Sequence, residues 1–116
     1  MNLCLLLALA VLGALCGCHV EPRKSDAELG LNPVQAAGRH LFDRHCGMCH
    51  EAYSSRPLKG PSLQRIFKKA YLSNGMPAND DRVREIVTYG HGKMRGFGET
   101  LSPQQIDDLM QYLHTL

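Results

Sequence analysis

A chain of 116 residues has room for one small domain, and its 44% hydrophobic and 21% charged residues place it among ordinary globular proteins rather than disordered ones. A formal charge of +2 with no dense basic run argues against nucleic-acid binding. Three Phe, four Tyr and no Trp make a lean core, of the kind that a metal, a disulfide or a bound cofactor completes.

Residues 1–17 have the form of a signal peptide. The apolar run from Leu3 to Cys16 is too short to span a bilayer comfortably, and only the terminal amine supplies positive charge ahead of it. The stretch "LCGC", residues 15–18, resembles a bacterial lipobox, which implies that Cys18 becomes the lipidated first residue of the mature chain. Ordinary signal-peptidase cleavage nearby, or an uncleaved anchor, is the alternative. Residues 18–32 are polar and lack a sustained apolar period, so a flexible tether is expected there, about 20 Å between its ends. Export would put the protein in an oxidising compartment, where free Cys-x-x-Cys dithiols persist poorly.

The body, residues 33–116, carries the signals of short helices. "NPVQAAGRHLFDRH" opens with Asn32 as N-cap, Pro33 at the first helical position and Gln35 placed to close a capping box. Its apolar stripe runs through Val34, Ala37, Gly38, Leu41 and His45, straight into the next motif. "SLQRIFKKAYL" suits one or two turns. "NDDRVREIVTYG" has acids in its first turn, Val83, Ile86 and Val87 on one face, and Gly90 as a stop. The closing segment repeats the opening logic, with Ser102, Pro103 and Gln105 ahead of Ile106, Leu109, Met110, Leu113 and Leu116. No alternating strand pattern stands out, so an all-α body is expected.

Between the first two helices lies "HCGMCH", residues 45–50. Cysteines three apart on one turn can each reach a vinyl group of the same porphyrin, and His50 directly after can ligate its iron. A thioredoxin-like dithiol needs a strand before it and a helix after it, and a tetrahedral zinc site needs a second ligand pair. Neither is present. Covalent haem through Cys46 and Cys49, with His50 as ligand, is therefore expected. Candidates for the other face of the iron are Met76, His91, Met94 and Met110; Met110 falls on the core stripe of the last helix. Met94 lies in the glycine-rich stretch "GHGKMRGFGETLS", and a thioether is a soft ligand that raises the potential.

From about residue 33 to 116 the chain resembles the class I, His/Met-ligated cytochrome c family. Gly38 and Phe42 stand eight and four residues before Cys46, and Tyr112 near the end, where that family crosses its terminal helices. "GPSL", residues 60–63, resembles the segment whose proline carbonyl accepts the ligand histidine's ring N–H. The resemblance implies a small cytochrome c fold with N- and C-terminal helices crossing around the haem. It also implies Pro61 as the group that orients His50, and Met94 as sixth ligand. In this chain Arg95 follows Met94, and the Met-Pro pair common at the family's ligand stands instead at Met76-Pro77; Met94 lies eight positions before Ser102, as the family's loop requires, which favours Met94.

With both axial positions filled, the expected role is one-electron transfer rather than enzymatic catalysis, on the periplasmic side of a bacterial membrane. The partners would be a dehydrogenase, an oxidase or another cytochrome. The alternatives are a haem sensor or peroxidase-like enzyme with open iron, and a cytochrome subunit of a larger oxidoreductase. Arg56, Lys59, Lys93 and Arg95 are candidates for steering an acidic partner, solvated surface charge being the plainer reading. Lys68 or Lys69 is a candidate partner for a haem propionate.

Overall fold

The computed structural model describes residues 22–116. Cys18 and its expected lipidation, with the rest of residues 1–21, lie outside the described residues. Three helices carry the body: α1 (Pro33–His45), α2 (Asp80–Tyr89) and α3 (Pro103–Leu113), with a 3-10 turn at Ile66–Lys68. Among the described residues no helix is long and apolar enough to cross a membrane.

Both long helices begin on a reciprocal capping box. Asn32 Oδ1 accepts from the Gln35 N–H at 2.9 Å while Gln35 Oε1 accepts from the Asn32 N–H at 3.0 Å. Ser102 and Gln105 repeat the exchange at 3.2 and 2.9 Å. Each box satisfies two backbone donors that a helix start otherwise leaves bare. Asn79 caps α2 by accepting from the Arg82 N–H.

The core forms where α1 crosses α3. Phe42 meets Tyr112 at 5.5 Å between ring centroids, and Tyr112 is 0% exposed. The helices approach this closely because residue 38 is glycine: a Cβ there would lie 2.0 Å from the Asp108 carbonyl oxygen. Ile106, Leu109, Met110 and Leu113 extend the contact, and Val83, Val87 and Phe97 close it from α2 and the chain after it.

Two features differ from the expectations. The first is a two-stranded antiparallel ribbon, β1 (Gly90–His91) with β2 (Met94–Arg95), in register Gly90↔Arg95 and His91↔Met94. Gly92, at φ 58°, opens the two-residue turn between them, the glycine-first arrangement that suits a tight hairpin. Strands of two residues have no period to display, and the fold class remains all-α.

The second is the segment before α1. Its described part is pinned to the helix rather than free. Residues 26–30 form a turn. The Arg39 guanidinium, 4% exposed, donates to Asp26 Oδ1 and to the Lys24 carbonyl oxygen, each at 2.6 Å. His40 Nε2 lies 3.0 Å from Asp26 Oδ2, and Arg23 pairs with Asp43. Arg39, with His40 second among the attractions, holds the Asp26 carboxyl below the usual carboxylate range. A buried guanidinium needs such a partner, because its desolvation is otherwise uncompensated.

Candidate functional site

The cysteine motif is wound on the end of α1. The Cys46 and Gly47 N–H groups both donate to the Phe42 carbonyl, at 2.7 and 2.8 Å. The Cys49 and His50 N–H groups then both donate to the Cys46 carbonyl at 2.9 Å. Two stacked turns thus bring both thiols and the imidazole to one wall of a single large cavity.

That cavity has a volume of about 980 Å³. Small-molecule sites run from roughly 300 to 1,000 Å³, so this one suits a large ligand. Its apolar walls come from every part of the body: Phe42 of α1, Leu63 and Ile66, Val83 and Val87 of α2, Phe97 and Leu113. The charged side chains on the wall are all cationic, Lys59, Lys69, Lys93 and Arg95, with the imidazoles of His45, His50 and His91; no carboxylate lines it.

His50 is the most constrained donor. Its Nδ1 lies 2.7 Å from the Pro61 carbonyl oxygen. A carbonyl only accepts, so Nδ1 carries the proton and Nε2 keeps the lone pair that a metal requires. Gly60 lies flat against the ring: a Cβ there would come within 2.5 Å of His50 Cε1. The Gly60 N–H in turn donates to the Cys49 carbonyl at 2.8 Å, tying this support to the motif it supports. Imidazole, proline carbonyl and glycine face form one unit.

Cys46 and Cys49 are not joined to each other in a disulfide. Burial, with Cys49 and Asp43 adding to it, pushes the Cys46 thiol up to about 11. Such burial does not favour the bare thiolate on which a redox dithiol depends. Nor do three or more His, Cys, Asp or Glu side chains converge as a metal cluster among the described residues.

Among the sulfur candidates, Met94 lines the cavity. The ribbon fixes it, paired with His91, and the Phe97 and Gly98 N–H groups tie the following chain to the Val87 and Thr88 carbonyls. Met76 is not on the cavity wall; its carbonyl accepts from the Leu72 N–H in a small loop of its own. Met110 is 3% exposed, in the core. His91 lies on the wall beside Met94.

The four candidate steering cations divide. Arg56 pairs with Glu51 at 2.8 Å, and the Arg95 guanidinium sits 4.8 Å over the Phe97 ring. Lys59 and Lys93 line the cavity without an ion pair among the described residues. His45 was hidden in the sequence as part of a helix stripe; it packs edge-on against Phe97 at 5.8 Å and borders the cavity. Nothing in its local spacing distinguished it from a core position.

Two thiols on one turn, a tautomer-fixed imidazole and a large apolar hollow fit a porphyrin held covalently. The family model described as cytochrome c oxidase, cbb3-type, subunit III matches residues 33–113. A cytochrome c6 of Limnospira maxima is 32% identical over 81 residues, covering 67% of this chain and 88% of that protein. A cytochrome c6 of Rippkaea orientalis is 34% identical over 79 residues, 67% of each. A cytochrome c6-like protein of Nostoc sp. is 32% identical over 76 residues, and the chain spans 65% of its length. No solved structure matches the chain significantly.

Proposed function

Because the chain belongs to the class I mono-haem cytochrome c family, we propose that it is a one-electron carrier of an exported bacterial electron-transfer chain. Its cofactor is haem c, held covalently through Cys46 and Cys49. When bound, the haem supplies a reversible one-electron couple at its iron. The observation that carries the reading is the clamp on His50, whose Nδ1 is committed to the Pro61 carbonyl on the wall of a cavity that Met94 also lines.

Each residue then has a defined task. The thioether links at Cys46 and Cys49 keep the cofactor on a domain too small to bury it by packing alone. Pro61 and Gly60 hold the His50 ring at a fixed angle with Nε2 as the ligating atom. Met94, on its ribbon, would be the second side chain to hold the haem iron, and its soft sulfur would favour the reduced state. Phe42, Ile66, Val83, Val87 and Phe97 keep water from the cavity, which limits reorganisation when charge changes. Lys59 and Lys93 attract an acidic redox partner and raise its encounter rate, an effect that salt weakens. Cys18 would serve as a lipid anchor on the periplasmic side, and Cys18→Ser should then release the protein from membranes; unchanged membrane retention would remove the anchor reading.

Two optical measurements test the carrier reading. Oxidised protein should show the long-wavelength band of methionine–iron coordination, and reduced protein should bind carbon monoxide slowly. Rapid carbon monoxide binding and no such band would favour a sensor or peroxidase-like enzyme with open iron. Met94→Ala should keep covalent haem, lose the band and lower the potential; if Met76→Ala does so instead, Met94 is not the ligand. A second reading, a cytochrome subunit of a larger oxidoreductase, draws on the oxidase-subunit description of the matching family model. Co-purification from solubilised membranes distinguishes the two.

A further inference from the structure

Two side chains on the ribbon bring a donor atom toward the same part of the large cavity. His91 and Met94 flank its two-residue turn and are register partners across it. Directly opposed residues of an antiparallel pair stand on one face, with Cβ atoms about 5 Å apart. Both line the cavity. Imidazole and thioether have similar reach, so a metal that the Met94 sulfur can touch is also accessible to a His91 ring nitrogen once its side chain turns.

The other imidazoles among the described residues are engaged. His50 is held by the Pro61 carbonyl, His40 by Asp26, and His114 by Asp80 and a stacked Phe67. His45, also on the cavity wall, lies edge-on against Phe97. His91 alone has neither a side-chain hydrogen bond nor an aromatic partner among the described residues, and it is exposed.

The backbone beneath the pair is tight at its base and open at its tip. A Cβ at Gly90 would lie 2.5 Å from the Met94 carbonyl oxygen, whereas nothing lies within 4 Å of one at Gly92. Bringing His91 forward in place of Met94 therefore takes side-chain rotation at the open end and leaves the core packed. A neutral imidazole, like a thioether, is an accepted ligand of iron.

We propose that His91 is a reserve axial ligand, which takes the iron whenever the Met94 sulfur leaves it. The proposal rests on the haem electron-carrier reading and adds a regulation of its iron. One iron–sulfur bond breaks, one iron–nitrogen bond forms through a neutral ring nitrogen, and neither an electron nor a proton moves. A lapse of Met94 then ends on a closed iron, barred to carbon monoxide or peroxide, and at a lower potential because the methionine that raised it is gone.

The test uses purified Met94→Ala holoprotein, alone and with a second substitution, read by absorbance and by the rate of carbon monoxide binding to the reduced form. Met94→Ala should lose the methionine–iron band, stay low-spin when oxidised and bind carbon monoxide slowly. A reserve ligand in place about 90% of the time leaves about 10% of the iron open, so Met94→Ala/His91→Ala should bind about tenfold faster. Its oxidised spectrum should be high-spin. Met94→Ala/Lys93→Gln, which removes the neighbouring amine from the cavity wall, should match Met94→Ala.

A high-spin, fast-binding Met94→Ala protein overturns the proposal. So does a His91 double variant that stays low-spin and slow, or equal opening by the Lys93 double variant. Should Met94→Ala/His91→Ala fail to mature, Met94→Ala/His91→Gln, similar in bulk and without a ring nitrogen, decides in its place. A Met94→Ala protein that keeps the methionine band overturns the proposal together with the choice of Met94. Failure of the carrier reading shows in the unaltered protein instead, as rapid carbon monoxide binding with Met94 present.

Discussion

Gly38→Ala probes the helix crossing most directly. The added methyl would lie 2.0 Å from the Asp108 carbonyl oxygen, 2.6 Å from its carbon and 2.8 Å from Tyr112 Cβ, where ordinary contact begins at 3.4 Å. The shortfall is against backbone, which has no rotamer to retreat into, so α1 and α3 must separate by over an ångström. Overpacking of this kind costs about 1–3 kcal/mol, and backbone as the obstacle puts it at the upper end. Separation also loosens the Phe42–Tyr112 contact, with about 0.5–1.5 kcal/mol at stake. Against this stands the helix preference of alanine over glycine, about 1 kcal/mol. The net expectation is about 2–3 kcal/mol of destabilisation, and a drop in Tm of roughly 10 °C or more for a domain of this size. Thermal and urea unfolding of the holoprotein, followed by far-ultraviolet circular dichroism, measures it. A variant as stable as the parent would mean that helix preference governs residue 38 and that the close approach does not.

Gly60→Ala places a methyl against the His50 ring and should tilt it off the Pro61 carbonyl; altered visible absorbance with lower covalent haem yield is expected, and an unchanged spectrum would count against the clamp. Asp26→Asn removes the partner of buried Arg39. Because the folded-state pKa of Asp26 is depressed, its contribution is present above the unfolded carboxylate value and lost as pH falls through the depressed one. The stability gap between Asp26→Asn and the parent should therefore be full at neutral pH and close in acid; a gap independent of pH would refute the pairing. Tyr112→Phe loses the hydroxyl contact with Tyr53 at 2.7 Å and should cost about 0.5–1.5 kcal/mol in urea unfolding. Burial first, then that hydrogen bond, raises the Tyr112 phenol far above the ordinary tyrosine range, so it should ionise last in an ultraviolet titration.

The helices were readable because their signals are local. Asn32 with Gln35 and Ser102 with Gln105 lie three residues apart, and their capping needs nothing distant. The α1–α3 crossing was readable through Gly38, Phe42 and Tyr112 only once the resemblance supplied the pairing, since spacing within one helix does not say what it meets. The ribbon bearing Met94 escaped because four paired residues carry no periodicity. The pinned segment before α1 escaped for a different reason. Arg39 reads as a surface cation, and its burial depends on Asp26 and Lys24, 13 and 15 positions earlier.

The Asp26–Arg39 clasp changes the reach of any anchor upstream. A free strand from residue 18 to 32 would let the body roam about 50 Å from its attachment. With the chain moored at Arg23 and Lys24, an anchor at Cys18 would stand only five positions before the mooring, about 17 Å at most along the chain. The body would then ride close to its base with α1's moored face turned inward, and a visiting partner would meet a narrow range of poses.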